Sequence, residues 1–261
     1  MLRLTFVALA LTTAAASAQT LDAPVVSSQS QGAAIGFTLR GGVQTTPEYF
    51  GSSDNETGPA LGFELNYLRL GGYTFGSPDP LYYPEGFGFT GSFRYIGERE
   101  AADYPELTGL ADVDASLEIG GGLRYATQDY QVFGVIRYGI IGHESFVGEL
   151  GADALARPTD RLTLRAGPRL LFGDSDYAAT YFGVTAAEAG TSAFGQFDAS
   201  GGLLSAGVEL GAAYQLSDNW GIDATVSYDR LQNDAARSPI TTNDSSVSAS
   251  IGITRRFSLG F

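Results

Sequence analysis

The chain has 261 residues, the span of one large β domain or two small ones. It carries 35 glycines, 14 Tyr, 16 Phe, one Trp, one His and no Cys, and 15 arginines (with no lysine) face 29 acids for a net charge of −14. This excludes disulfide frameworks, thiolate metal sites and cysteine nucleophiles, and so acidic a chain offers a nucleic acid no counter-charge.

The first 18 residues read as a secretory signal peptide. Arg3 is the positive end, Leu4 to Leu11 the apolar stretch, and Ala16-Ser17-Ala18 the small-residue cleavage site. Cleavage leaves a short periplasmic segment, 19–33, ahead of one domain over 34–261. No later segment approaches the roughly 18 apolar residues of a membrane helix.

From there the chain alternates apolar and polar with period two, in runs of about ten residues. In 115–126, Leu117, Ile119, Leu123 and Tyr125 share one face, and Ser116, Glu118 and Arg124 the other. The same pattern recurs in 130–139, 162–172 and 220–228, and at the end, where Phe257, Leu259 and Phe261 stay in phase. The apolar faces end in Tyr, Phe or Trp, as membrane-interface girdles do, and the polar faces carry Gly, Ser, Thr and paired charges. A soluble sandwich would bury those apolar faces against each other. Runs of this length instead suit tilted membrane strands, and in lipid the β solution is a barrel. The pattern predicts an all-β, transmembrane antiparallel up-and-down β-barrel with strands near 34–44, 58–75, 86–96, 115–126, 130–141, 146–157, 162–173, 203–215, 220–231 and 247–257. Short periplasmic turns fall at 127–129, 158–161 and 216–219, long outer loops at 97–114, 174–202 and 231–246, and a short outer link at 142–145. The apolar phase slips at Tyr67-Leu68 and at Gly71-Gly72. The preferred reading is bulges in one long strand and about ten strands in all; the second choice is a hairpin and twelve.

On the inward phase, Arg40, Arg94, Arg124, Arg137, Arg157, Arg165, Arg169 and Arg256 stand against Glu64, Glu118, Glu149, Asp153, Glu209, Asp223 and Asp229. Near-balance in a narrow barrel predicts a lumen braced by ion pairs, with Arg124, Arg137, Arg165 and Arg169 pairing Glu118, Glu149, Asp153 and Asp223. The surplus acid then belongs to the loops. Candidates for chemistry are few. His143 stands between Gly142 and Glu144-Ser145, but neighbours on a strand point to opposite faces, so a solvated loop histidine is expected. Asp174 and Asp176 would share a face if extended. Gly120-Gly121-Gly122 lies mid-strand, where small residues let strands approach closely. Thr185 to Ala189 suits a helical turn in the largest loop. No catalytic set, cofactor site or metal site is expected.

An ordered set of loop residues then stands out. Pro47-Glu48-Tyr49-Phe50-Gly51-Ser52 follows the first strand, and Gly97-Glu98-Arg99 precedes Leu107-Thr108-Gly109-Leu110-Ala111-Asp112. Tyr177, Tyr181-Phe182-Gly183-Val184, Ala187, Ala189 and Ser192 come next, then Trp220, Arg230-Leu231, Asp234 and Ser238-Pro239. This set resembles the MipA/OmpV family of outer-membrane proteins across the mature chain. Two features depart from the family's pattern: four residues follow Phe257, and Ala193-Phe194 replaces a usual Gly-Leu. The resemblance implies a non-enzymatic outer-membrane scaffold tied to peptidoglycan synthesis and remodelling, with a lytic transglycosylase and a bifunctional murein synthase as partners beside outer-membrane lipid and lipopolysaccharide. The alternatives are a narrow porin or a surface adhesin. The motif residues to watch are Pro47, Tyr49, Gly51, Ser52, Arg99, Leu107, Gly109, Tyr181, Phe182, Gly183, Ser192, Ser238 and Pro239.

Overall fold

The computed structural model describes residues 25–26, 32–77, 79, 81–83 and 85–261. The expected signal peptide and most of the 19–33 segment lie outside the described residues. The strands are β1 (Val25–Val26), β2 (Ala34–Pro47), β3 (Asn55–Leu70), β4 (Tyr73–Gly76), β5 (Gly86–Ile96), β6 (Ser116–Ala126), β7 (Tyr130–Ile141), β8 (Phe146–Thr159), β9 (Leu162–Gly173), β10 (Gly202–Gln215), β11 (Trp220–Leu231) and β12 (Ser245–Gly260). They form one antiparallel sheet in the order β1-β4-β3-β2-β12-β11-β10-β9-β8-β7-β6-β5. Ten strands are long, and β1 and β4 are short additions beside β3.

Both phase slips have a structural cause. Gly36 pairs with Tyr67 while Phe37 pairs with Leu65, so Asn66 is bulged out of β3. At Gly71-Gly72 the chain reverses, with Leu70 opposite Tyr73. Gly71 takes φ +59°, which a two-residue hairpin demands of its first residue.

β2 pairs β12 from Ala34↔Gly260 to Thr45↔Ala249, joining the two ends of the chain. Among the described residues no ladder joins β5 to β3 or β4, so the sheet has a seam there. Pro59 lies within β3, and proline belongs on edge strands because it cannot donate to a ladder. The link 77–85 that crosses to β5 carries three more prolines.

The outward face is apolar. Val43, Phe63, Phe89, Leu123, Ile136, Leu210 and Ile251 are each more than half exposed. Tyr130, Tyr214 and Trp220 ring the end with short turns, and Tyr138, Phe146 and Tyr228 ring the other. An apolar band between two aromatic girdles is the surface of a transmembrane barrel. No described helix is long and apolar enough to cross a membrane. The triple glycine leaves no room for side chains against the neighbouring strand: a Cβ on Gly120 would meet Ile136 O at 1.9 Å, and one on Gly122 would meet Gly134 O at 1.8 Å.

Gly122→Ala is therefore expected to lower the urea midpoint of the protein in detergent micelles, by about 1–3 kcal/mol of overpacking. Gly91→Ala, which meets nothing within 4 Å, serves as the near-neutral comparison.

Candidate functional site: an outer cap above a charged inner wall

The inward positions of the strands place charge where solvent is scarce. Arg137 Nε donates to Glu118 at 2.7 Å and its Nη1 to Glu149 at 3.0 Å, joining β6, β7 and β8. Arg169 Nη2 donates to Asp153 at 2.7 Å and to Glu209 at 2.9 Å, and Arg165 reaches Glu209 at 3.1 Å, joining β8, β9 and β10. Asp223 takes Arg40 Nε at 2.6 Å. Arg124 donates to Gln131 at 3.4 Å, and Gln131 in turn donates to Asp153. Most pairs thus run sideways between neighbouring strands along the wall, while Arg40–Asp223 reaches from β2 past β12 to β11. Arg40 and Glu209, inward by phase but not named among the pairing residues, complete the set.

Above this wall, five outer loops meet in one packed body. They are 48–54, 97–115, 142–145, 174–201 and 232–244. The largest holds helix α1 (Ser175–Phe182) and helix α2 (Ala186–Thr191), and the last holds helix α3 (Asn233–Arg237). Asp174 caps α1, its carboxylate accepting from Tyr177 N at 2.9 Å and Phe146 N at 2.7 Å. That role takes it away from Asp176, because the segment is helical, not extended. Thr185 and Glu188 form a capping box at the start of α2.

Tyr177, Tyr181 and Phe182 are buried with Val147, Leu204 and Ala235, and Phe50 lies against all three aromatic rings at 5.1–6.4 Å. Tyr49, Leu107, Leu110, Val184 and Ile240 form an adjoining cluster.

The loop motif residues are distributed through this body. Tyr49 and Leu107 lie in its core, and Ser52 is buried. Gly51 O accepts from Thr242 N at 2.8 Å and Asn243 N at 2.9 Å, tying the first loop to the last. Arg99 Nη1 donates to Tyr181 O at 3.4 Å, and Ser238 Oγ donates to Phe182 O at 2.6 Å. Gly109 has φ +90°, and a Cβ there would strike Thr191 O at 2.1 Å, so this glycine lets the second loop seat against α2. Gly183 and Ser192 end the two helices, with N–H groups on Ala179 O and Glu188 O. Pro47 ends β2 and Pro239 is half-buried beside Ser238. Phe50 and Tyr177 are among the cap residues that reasoning from sequence did not single out as site residues, with Leu110, Val184, Ala235 and Ile240.

His143 overturns the expectation of a solvated loop residue: its side chain is fully buried. Nδ1 accepts from Ser145 N at 3.2 Å and lies 2.6 Å from Ser145 Oγ, which leaves Nε2 to carry the proton toward Glu118 at 3.3 Å. The partner carboxylate is Glu118 of β6, whereas Glu144, beside the histidine in sequence, turns away with φ +49°. Tyr177 and Tyr181 lay their rings against the imidazole at 4.9 and 5.8 Å. Tyr181 OH donates to Ser116 Oγ, which also accepts from His143 N. A Ser–His–Glu row invites an acyl-transfer reading, but Ser145 is 2 % exposed and Glu118 is engaged by Arg137. The row fastens the fourth loop, through Tyr177 and Tyr181, to the barrel wall. Among the described residues no group of three or more His, Asp or Glu is gathered as metal ligands.

Electrostatics hold the cap as well. Burial pushes Tyr49 up to about 12, helped by its hydrogen bond to Glu106 at 3.0 Å, so it stays a neutral donor. Burial pushes Glu188 up, but bonds from the Thr185 hydroxyl and the Ala111 and Thr185 N–H groups, with Arg99 nearby, outweigh it. The Glu188 carboxyl is held below its usual range.

A transmembrane β-barrel whose outer loops pack together over buried apolar clusters is the class these features define. Among solved structures, the N-terminal β-barrel domain of Pseudomonas aeruginosa OprF is similar at 10 % identity and a TM-score of 0.31, over 88 % of this chain and 100 % of that one. The CymD monoaromatic hydrocarbon channel gives 14 %, 0.35, and 88 % and 89 %. The translocator domain of the autotransporter NalP from Neisseria meningitidis gives 13 %, 0.37, and 89 % and 91 %. At such low identity and so loose a superposition, none of them bears on what this chain does. No curated protein matches. The family model described as "MltA-interacting protein MipA" matches residues 39–257, and the chain belongs to that family.

Glu118→Ala, which strands Arg137 and His143 without their shared carboxylate, is expected to cost about 3–5 kcal/mol in urea unfolding. The cap should also respond to acid. A depressed carboxyl adds stability above its unfolded value, near 4.5, and loses it as pH falls through the folded one. Limited proteolysis of the loops is therefore expected to quicken below pH 4.5, and Glu188→Gln should flatten that dependence.

Proposed function

We propose that this protein is a non-catalytic barrel of the outer membrane that works by binding protein partners, as a scaffold for peptidoglycan synthesis and remodelling. The observation that carries this reading is the cap: four loops share buried apolar clusters over the outer mouth and the fifth joins them through His143 against Tyr177 and Tyr181, an architecture suited to holding the mouth closed. The inner wall adds to it, because paired charges brace neighbouring strands and one pair, Arg40–Asp223, spans β2 to β11. The family description names an interaction with MltA, a lytic transglycosylase. That enzyme class is the first partner proposed, and a bifunctional murein synthase the second. The serine nearest to any catalytic arrangement, Ser145, is sealed under α1, which supports a role without chemistry. The apolar belt sits in outer-membrane lipid, and export by a cleaved signal peptide over 1–18, leaving the segment 19–33 ahead of the barrel domain 34–261, fits that destination.

The short turns leave little surface on the periplasmic side. The link 77–85 is the larger feature there, with Leu81 51 % and Tyr82 41 % exposed, and it is the proposed docking point. The test is binding of the purified full chain in detergent to a purified lytic transglycosylase, followed by interferometry. Saturable binding is expected, weakened about tenfold or more by Leu81→Glu with Tyr82→Glu, since a few apolar anchors dominate such contacts. No binding to either enzyme class would remove the scaffold reading.

A further inference from the structure

Behind the seam lies a cavity of about 310 Å³ at the end of the barrel that carries the short turns. Its lining is strongly basic for a chain of net charge −14: six arginines, 40, 124, 157, 161, 165 and 256, face three carboxylates, Glu64, Asp160 and Asp223. Arg40 is more than nine-tenths buried; its Nε is on Asp223 and its Nη2 on Ser250, but Nη1 has no acceptor. Arg157 Nη2 and Arg165 Nε are likewise buried without acceptors. Guanidinium N–H groups in this state call for an anion with several oxygens, because each fork can address two of them.

The same cavity has an apolar side. Phe63 of β3 and Phe93 of β5 both line it, yet both belong to the lipid-facing phase of their strands and are 59 % and 36 % exposed. Residues on the outer face of two strands can line an inner cavity only where the wall between them is open, and among the described residues no ladder joins β3 to β5. Tyr83 of the crossing link lies over Arg157, with the guanidinium carbon 3.8 Å from the ring centroid, and donates to Gln131 at 3.1 Å. Leu81, Tyr82 and Tyr83 of that link therefore cover the cavity from below. A soluble anion would have to pass that cover, whereas a membrane amphiphile meets the open side directly.

We propose that the seam between β3 and β5 admits a phospholipid sideways, its phosphate headgroup held by Arg40, Arg157 and Arg165 and its acyl chains lying against Phe63 and Phe93. Basic pockets at membrane depth bind lipid headgroups in this manner. The lipid site does not rest on the scaffold reading, although Leu81 and Tyr82 of the proposed docking point also line the cavity; lipid retention and enzyme binding are read out separately.

Native mass spectrometry of the full chain in a neutral detergent tests it, with phosphatidylglycerol, diacylglycerol and glycerol phosphate as probes. The expected result is one retained phosphatidylglycerol, no retained diacylglycerol, and no displacement by glycerol phosphate. Arg157→Gln with Arg165→Gln should lower that retention about tenfold. Arg161→Gln, at an exposed turn where folding is not at stake, should lower it more modestly. The proposal is overturned by the absence of any lipid adduct or by equal retention of diacylglycerol. Saturation by glycerol phosphate alone, which marks a site for a free anion, overturns it too. So does a lipid-free species of two chains, which marks strand pairing across the seam, or retention indifferent to both arginine changes.

Discussion

Hydrocarbon outside the barrel sets the terms for everything within it. A strand in lipid must pair its backbone and turn apolar side chains outward, so nearly all polarity in β2 to β12 points inward. There the charges sit in a narrow space with little water to screen them, and each must find an opposite charge or a hydrogen-bond partner. The result is the sideways row of Arg–carboxylate bonds that ties β8 to β10 through Arg169 and β6 to β8 through Arg137. Arg serves here because its fork reaches two carboxylates at once, as Arg137 reaches Glu118 through Nε and Glu149 through Nη1.

The outer loops obey a different rule. Freed from hydrocarbon, they gather their own apolar residues, and the two clusters beneath α1 and α2 form the one place in the described residues where a soluble-type core appears. The join between wall and cap is Glu118. One of its oxygens belongs to the wall through Arg137, and the other meets His143, which the tyrosines of α1 cover. A single carboxylate thereby couples the bracing of the strands to the seating of the largest loop.

Much of this was legible in the sequence, for a physical reason. A strand with lipid on one side and a polar wall on the other writes its two faces into alternating residues, so the ten long strands fall close to where the periodicity places them. The slip at Tyr67 to Gly72 was legible only as a slip, because a bulged Asn66 and a Gly-Gly hairpin leave similar traces in a single chain. The Thr185 to Glu188 capping box was local and could be read, but the cap at Asp174 was hidden by the assumption of an extended loop. The setting of His143 was not legible. Its partner Glu118 is 25 residues away on the adjacent strand, and the tyrosines that bury it come from a loop further still. The seam was equally hidden, since alternation reports which face a residue takes and not which strand lies beside it. The motif residues of the loops were visible as a set, yet that they pack together is a property of the fold alone.

The central claim is that the loops close the barrel and leave it to act through binding. The most direct measurement is the current across a planar bilayer holding the purified, folded protein. The account predicts no stable single-channel conductance at modest voltage, with transient openings only when the cap is loosened, as by Leu107→Ala. A steady, reproducible unitary current from the unaltered protein would contradict it and make the barrel a channel.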